Sequence, residues 1–288
     1  MAKERLRTLI DLIRWGQDYF HNKGIESPRL TIELMLSHIL SCSRMELYLQ
    51  FDRPLNDSQL DILKKYVNRR LKFEPLQYIF GETTFYGRKF KCDSRALIPR
   101  PETEILVEKT LKICKELGNK LNILEIGTGT GCIAISLAME LPESRILATD
   151  INDDTLLLAK ENLEQYTSGN VELIKNDFLL DELDYGNFDV IVSNPPYIPL
   201  DKMLFLEKSI LNFEPKISLT DNMDGLTFYK KFSETILKMK EGSVMLLEID
   251  GRNTDKLLKL FKNPSYNVII LKDFADLDRI IILRKNEA

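Results

Sequence analysis

Two hydrophobic rhythms divide this chain. From Leu121 onward, short apolar runs alternate with longer stretches whose apolar residues recur at helical spacing. "LNILEI", "SRILATD", "VELIKND", "FDVIVSN", "GSVMLLEID", "YNVIILKD" and "DRIIILRK" read as strands. "GTGTGCIAISLAME", entered through a loop, and "DDTLLLAKENLEQY", "GLTFYKKFSETILKMK" and "TDKLLKLFKN" read as helices. Apolar strands separated by helices predict an α/β fold with a parallel sheet covered on both faces. Only "FADLD" joins the last two strands, too short for a helical crossover, so the final strand is expected to run antiparallel.

Residues 1–72 carry helical spacing alone. Leu6, Leu9, Ile10, Ile13 and Tyr19 fall on a first helix. Ser27-Pro28 opens a second, with Leu30, Leu34 and Ile39. Asp57 or Ser58 would cap a third, with Leu60, Leu63, Tyr66, Val67 and Leu71. Its other face holds Lys64, Lys65, Arg69, Arg70 and Lys72, read as a solvated face in preference to a partner-binding patch. In "FGETTFYGRKFKCDSR", Thr, Phe and Tyr around Gly87 predict a short hairpin. A further helix begins near Pro101, with Glu102 and Glu104 in its first turn, where the helix dipole favours carboxylates. The expected organisation is a helical domain at 1–79, a hairpin linker at 80–96 and a larger α/β domain at 97–288.

Composition removes several classes. With 44% apolar and 29% charged residues in 288, the chain resembles an ordinary soluble protein. No apolar run approaches a membrane span, and "MAKERLRTLI" lacks the apolar core of a signal peptide. Glu4 and Asp11 argue against a transit peptide, so the expectation is a cytoplasmic protein. Cys42, Cys92, Cys114 and Cys132 form no CxxC pair, and His21 and His38 are the sole histidines, so no metal is expected. The net charge of -4 does not suit a polyanion binder. It divides unevenly: residues 1–80 hold 13 Lys/Arg against 10 Asp/Glu, the remainder 27 against 34. A mildly basic front suits an acidic protein partner or RNA.

The chemistry starts at "ILEIGTGTGC". Gly127, Gly129 and Gly131 follow a strand and precede a helix, where glycine lets a ligand approach the backbone. Asp150 ends the next strand, where a carboxylate can take ribose hydroxyls. A dinucleotide loop would place glycine where Cys132 stands. Alternate glycines, with Glu125 two residues upstream, resemble instead the S-adenosylmethionine loop of class I methyltransferases. In "KNDFL", Asp177 and Phe178 stand where such methyltransferases hold the adenine, so the resemblance implies that Asp177 accepts its amino hydrogens and Phe178 packs on the ring; otherwise they are a turn aspartate and a core phenylalanine.

"IVSNPPYIPL" ends the fourth strand in Asn194-Pro195-Pro196-Tyr197. Proline cannot continue a central strand. At the carboxyl end of a strand beside the first, this motif would border the ligand crevice. Each proline stiffens the residue before it. Asn194 and the Pro195 carbonyl can accept the two N–H groups of a planar nitrogen, and Tyr197 offers a flat face for stacking. These bonds would aim a weak nucleophile and stabilise positive charge developing on it.

With "EPLQYIFGETTFYG", "LIPRPETEILVE", "LEIGTGTGCIAISLA", "IVSNPPYIP", "FEP" and "DGLTFY", the chain closely resembles the HemK/PrmC family of protein-(glutamine-N5) methyltransferases. The likeness spans nearly the whole sequence. It implies a class I S-adenosylmethionine-dependent methyltransferase fold, Rossmann-like with seven strands, behind a small helical N-terminal domain. It implies S-adenosylmethionine, giving S-adenosylhomocysteine, at Gly127, Thr128, Gly129, Thr130, Gly131, Asp150, Asp177, Phe178 and Asn194, with Glu125 close by. The substrate would be the Gly-Gly-Gln glutamine of peptide chain release factors, held by Asn194, Pro195, Pro196 and Tyr197. Arg100 and Glu104 would contact substrate or stabilise the fold. A monomer without direct nucleic-acid contact is expected. The alternative is an amino methyltransferase acting on an exocyclic base nitrogen of DNA or rRNA. A cofactor-binding adaptor is a third reading, which the intact Asn-Pro-Pro-Tyr opposes. Asp250 and Asn253 depart from the glycine and glutamine expected there. Were that glycine at positive φ, Asp would tolerate the position.

Overall fold

A computed structural model describes residues 8–166 and 169–287, so Glu4 and Leu6 lie outside the described residues. The chain forms two units. The first comprises the described residues up to Gly81 together with Glu207–Phe213; the second holds the remainder.

The first unit is helical: α1 (Leu9–Asn22), α2 (Pro28–Leu40), α3 (Arg44–Tyr48), α4 (Asp57–Arg70) and α5 (Leu76–Phe80). Leu9, Ile13 and Phe20 of α1 pack with Ile32, Met35 and Leu36 of α2, all nearly inaccessible to solvent. The third expected helix starts one residue earlier than read. Asn56 caps α4, exchanging hydrogen bonds with Gln59, so a capping box stands where Asp57 or Ser58 was expected to cap.

The basic face of α4 is only partly free. Arg69 donates to Glu74 and to the carbonyls of Tyr78 and Ile79, and Arg70 donates to the carbonyls of Phe73 and Glu74. Lys64, Lys65 and Lys72 are exposed. Glu33 is buried among Arg29, Arg44 and Tyr48, at 2.8, 2.5 and 2.7 Å. Burial opposes its charge, but these donors outweigh burial and hold the carboxyl below its ordinary range. Glu33→Ala is expected to destabilise this unit by about 2 kcal/mol, since both arginines reach solvent and screening limits the pair. Urea unfolding followed by circular dichroism checks it.

The second unit opens with the hairpin β1 (Glu82–Phe85) and β2 (Arg88–Lys91). The hairpin expected as a linker is part of this unit. Phe85 and Phe90 are buried in its core, Glu104 accepts the turn N–H of Tyr86 at 2.9 Å, and Asn162 brackets Lys91 through both main-chain groups. The first unit likewise takes back a segment expected in the catalytic domain. Lys208 lies over the Phe73 ring at 4.8 Å, in the same unit as α4.

Next come α6 (Pro101–Leu117), β3 (Asn122–Ile126), α7 (Cys132–Glu140), β4 (Arg145–Asp150), α8 (Asp153–Leu163), β5 (Val171–Lys175) and β6 (Val190–Ser193). After α9 (Lys208–Phe213) follow α10 (Thr227–Lys238), β7 (Val244–Glu248), α11 (Thr254–Leu260), β8 (Tyr266–Lys272) and β9 (Asp278–Lys285). The seven-stranded sheet runs β5-β4-β3-β6-β7-β9-β8. Strands β5 to β7 are parallel, and β9 is antiparallel to both its neighbours, as expected.

Alternate residues feed two cores. Ile123, Val190, Val192, Val244 and Leu246 face the helices α6 and α7, whereas Leu124, Ile191, Met245 and Leu247 face α10 and α11. That double burial is why the strands read as continuous apolar runs. Strand order reverses between β3 and β6, so their carboxyl ends flank a crevice. Asp250 is not in the left-handed region. Its φ is -85°, and its carboxylate binds the Arg252 N–H and guanidinium.

Candidate active site

The glycine loop occupies the β3–α7 turn, with Gly127 and Gly129 at φ 76° and 56°. A Cβ on either would meet no protein atom within 4 Å, so the left-handed backbone selects glycine there. Gly127 and Thr128 donate their N–H groups to the Thr149 carbonyl at 2.9 and 2.8 Å. Glu125 Oε2 accepts from the Thr128 hydroxyl at 2.8 Å and the Ala134 N–H at 3.0 Å, tying the loop to the start of α7. Asn162 donates to the Thr130 carbonyl at 2.9 Å.

Glu125 is fully buried, and burial pushes its carboxyl up to about 8. The folded state therefore holds a proton that the unfolded chain releases near its ordinary value of 4.5. Stability from this group falls as pH rises through that window. Glu125→Gln removes the titration. Relative to wild type, the variant is expected to gain about 2 kcal/mol between pH 6 and pH 8, read by urea titration. An unchanged difference would contradict it.

Asp150 ends β4. Its Oδ2 accepts the Gly129 N–H at 3.1 Å, and burial raises its carboxyl above the ordinary value. Gly127 to Thr130 of the glycine loop, Asp150, Asn176 to Leu179 and Ser193 to Pro196 line one cavity of about 280 Å³. Leu97, Pro99 and the loop before α10 complete its rim. Thr130 Oγ1 and Asn176 Oδ1 are buried without a partner, and both residues line the cavity. Two orphaned polar atoms, three carboxylates and apolar walls suit a ligand with polar edges and a flat apolar face.

Phe178 lines this cavity yet is only 4% exposed, with Phe232 at 4.5 Å and Phe228 at 6.4 Å between ring centroids. Asp177 Oδ1 accepts the Leu179 N–H at 2.9 Å. Asn194, Pro195 and Pro196 reach the same cavity from the end of β6. Asn194 Nδ2 donates to Thr103 Oγ1 at 3.1 Å, and no described residue donates to Asn194 Oδ1 or the Pro195 carbonyl.

Five singled-out residues do not line the cavity: Gly131, Glu125, Tyr197, Arg100 and Glu104. The Tyr197 hydroxyl donates to Glu248 at 3.3 Å, and the ring packs on the core beneath the sheet instead of lining the cavity. Arg100 pairs with buried Glu214 at 2.5 Å. Glu214 also accepts the Ile98 N–H at 3.2 Å, so the pair clamps the segment that carries Leu97 and Pro99 to the rim. Glu104 braces the hairpin turn. The reading missed Thr103, Glu214, Phe228 and Glu248. Glu248 had a signal, since a carboxylate ends the otherwise apolar strand "VMLLE" just as Asp150 ends β4.

A glycine-lined crevice at the strand reversal, with a planar-nitrogen motif on its far wall, defines a Rossmann-like methyltransferase. Residues 11–81 match the PrmC N-terminal domain, and residues 101–207 the methyltransferase small domain. The release factor glutamine methyltransferase of Chlorobaculum tepidum is 33% identical, covering 97% of this chain and 98% of its own. That of Bacillus subtilis is 35% identical, covering 98% and 100%. The chain belongs to the release factor glutamine methyltransferase family. The crystal structure of a methyltransferase from Pyrococcus furiosus shares the fold, with a TM-score of 0.53 at 19% identity over 81% of this chain and 100% of that one. Among the described residues no helix is long and apolar enough to cross a membrane.

Proposed function

We propose that the protein methylates the side-chain amide nitrogen, N5, of the glutamine in the Gly-Gly-Gln motif of peptide chain release factors. The methyl donor is S-adenosyl-L-methionine and the product S-adenosyl-L-homocysteine. The observation that carries this reading is the Asn194 amide, committed through Nδ2 to Thr103 while Oδ1 stays free at the cavity. Relatives with this activity in their names align over nearly the full chain.

The cavity residues fit the donor. Asp150 retains acceptor capacity for ribose hydroxyls, Asn176 Oδ1 or Asp177 can accept from the adenine amino group, and Phe178 with Phe228 offers an apolar wall. Gly127 and Gly129 leave room beside the backbone. When bound, the cofactor supplies an electrophilic methyl group on a sulfonium. Asn194 Oδ1 and the Pro195 carbonyl accept the two amide hydrogens of the glutamine and hold its nitrogen plane. As positive charge grows on that nitrogen, both acceptors strengthen, which is where rate enhancement arises. Pro196 stiffens the loop. Tyr197 acts from behind it through Glu248. On this reading the enzyme works in the cytoplasm on a protein substrate.

Mass spectrometry tests the reading. The enzyme, S-adenosylmethionine and a full-length release factor are expected to yield one methyl on the Gly-Gly-Gln glutamine. An unmodified glutamine with folded, cofactor-binding protein would sink it. Methylated adenine or cytosine in added rRNA or DNA would move the assignment to an exocyclic base nitrogen.

A further inference from the structure

A buried carboxylate stands behind the substrate motif. Glu248 is the last residue of β7, the strand beside β6, and is 1% exposed. Its Oε2 accepts the Thr103 hydroxyl at 2.7 Å, and Thr103 Oγ1 in turn accepts Asn194 Nδ2 at 3.1 Å. Its Oε1 accepts the Tyr197 hydroxyl at 3.3 Å. One carboxylate thus anchors both polar side chains of Asn-Pro-Pro-Tyr, and Tyr229 donates to its main-chain carbonyl at 2.6 Å.

The chain of bonds has a direction. A hydroxyl carries one proton, and Thr103 gives it to an acceptor. Only lone pairs remain toward Asn194, so the NH₂ end of that amide must face Thr103. A flipped amide would set oxygen against oxygen. Burying a carboxylate is costly, and an apolar residue at the end of β7 would be the cheaper structural solution.

On the reading that Asn194 receives the acceptor nitrogen, we propose that Glu248 and Thr103 are positioning residues for the transfer. They lock the Asn194 amide with Oδ1 toward the acceptor. They also pass the field of a buried negative charge to that oxygen, because linked hydrogen bonds polarise one another.

Other groups face Glu248 too: Glu102 on α6, Tyr197, Tyr229 on α10, and Arg279 on β9, with Asp250 two residues along. Burial pushes the Glu248 carboxyl up to about 7, Glu102 adds to the rise, and Thr103, Arg279 and Tyr197 oppose it. The ionised form is the one that fixes Thr103. Turnover should therefore increase as pH rises through about 7 and level off above it.

The test compares Thr103→Val, Thr103→Ser, Glu248→Gln and Asn194→Ala in the full-length enzyme. It measures kcat and KM with a release factor between pH 5.5 and 8.5, and S-adenosylhomocysteine affinity by calorimetry. Thr103→Val and Glu248→Gln are each expected to lower kcat about 10–100-fold, the worth of a hydrogen bond to a charged group. Thr103→Ser should recover most of the loss, Glu248→Gln should lack the rise near pH 7, and product affinity should hold. Full activity in Thr103→Val, no recovery in Thr103→Ser, or a persisting pH rise in Glu248→Gln would each overturn the relay. Asn194→Ala separates the two levels. If it alone is inactive, the relay fails and the role of Asn194 stands; if it is active, that role itself fails.

Discussion

Asn194→Ala is expected to lower methyl transfer about 10²–10³-fold, the range seen when a preorganised group serving developing charge is removed. Cofactor affinity should change far less. Asn194 is one of many residues lining the cavity, and Asp150, Asn176, Asp177 and the glycine loop line it too. On the proposed reading, Asn194 Oδ1 and the Pro195 carbonyl, to which no described residue donates, take the two amide hydrogens. Losing one leaves the nitrogen free to rotate and its positive charge unsupported. Asn194→Asp is a sharper probe. It keeps an oxygen toward the acceptor but removes the NH₂ that Thr103 requires, and it adds a second carboxylate near Glu248. Single-turnover rates and calorimetric titration of S-adenosylhomocysteine check both variants. A rate within threefold of wild type would remove Asn194 from the mechanism.

Gly225→Ala should destabilise the second unit by about 3–4 kcal/mol and abolish most turnover in the fraction that folds. Gly225 sits at φ 77°, and an added Cβ would lie 2.3 Å from the Tyr197 carbonyl oxygen and 3.1 Å from its carbon. The obstructing atoms are backbone and cannot rotate away. Asp221 fixes this loop by accepting the N–H groups of Met223, Gly225 and Thr227 at 2.8, 3.0 and 3.0 Å. Ile198 and Leu200 donate to the Leu219 and Met223 carbonyls at 2.9 and 3.0 Å, so the substrate motif is laid directly against it. The clash would push Tyr197 outward and carry Pro195 and Asn194 with it. Thermal unfolding and kcat measured together check this. A variant as stable and active as wild type would mean the loop moves freely.

The strands were legible because they are buried on both faces, where Ile123, Leu124 and Ile126 of "NILEI" and Val244 to Leu247 of "VMLLE" meet one core or the other. The glycine loop, Asp150 and Asn-Pro-Pro-Tyr were legible because backbone constraints tie them to strand ends. The hairpin was readable as a hairpin but not as part of the catalytic unit. Its membership rests on Phe85, Phe90 and Asn162, long-range contacts that no local pattern encodes. Tyr197 looked like a stacking surface because an aromatic ring beside a polar motif suggests one. Its hydroxyl instead found Glu248, 51 residues away.

By itself, the sequence determined the α/β class, the strand count, the reversed last strand and the place of the ligand crevice. All of these follow from periodicity and from the stereochemistry of glycine and proline. The tertiary structure alone decided which polar groups meet. Thr103 lies in the first turn of α6, Asn194 follows β6 and Glu248 ends β7, so their single line of hydrogen bonds exists only once the sheet is assembled. Hydrogen bonds act over a few ångströms, and separation along the chain carries no record of that distance.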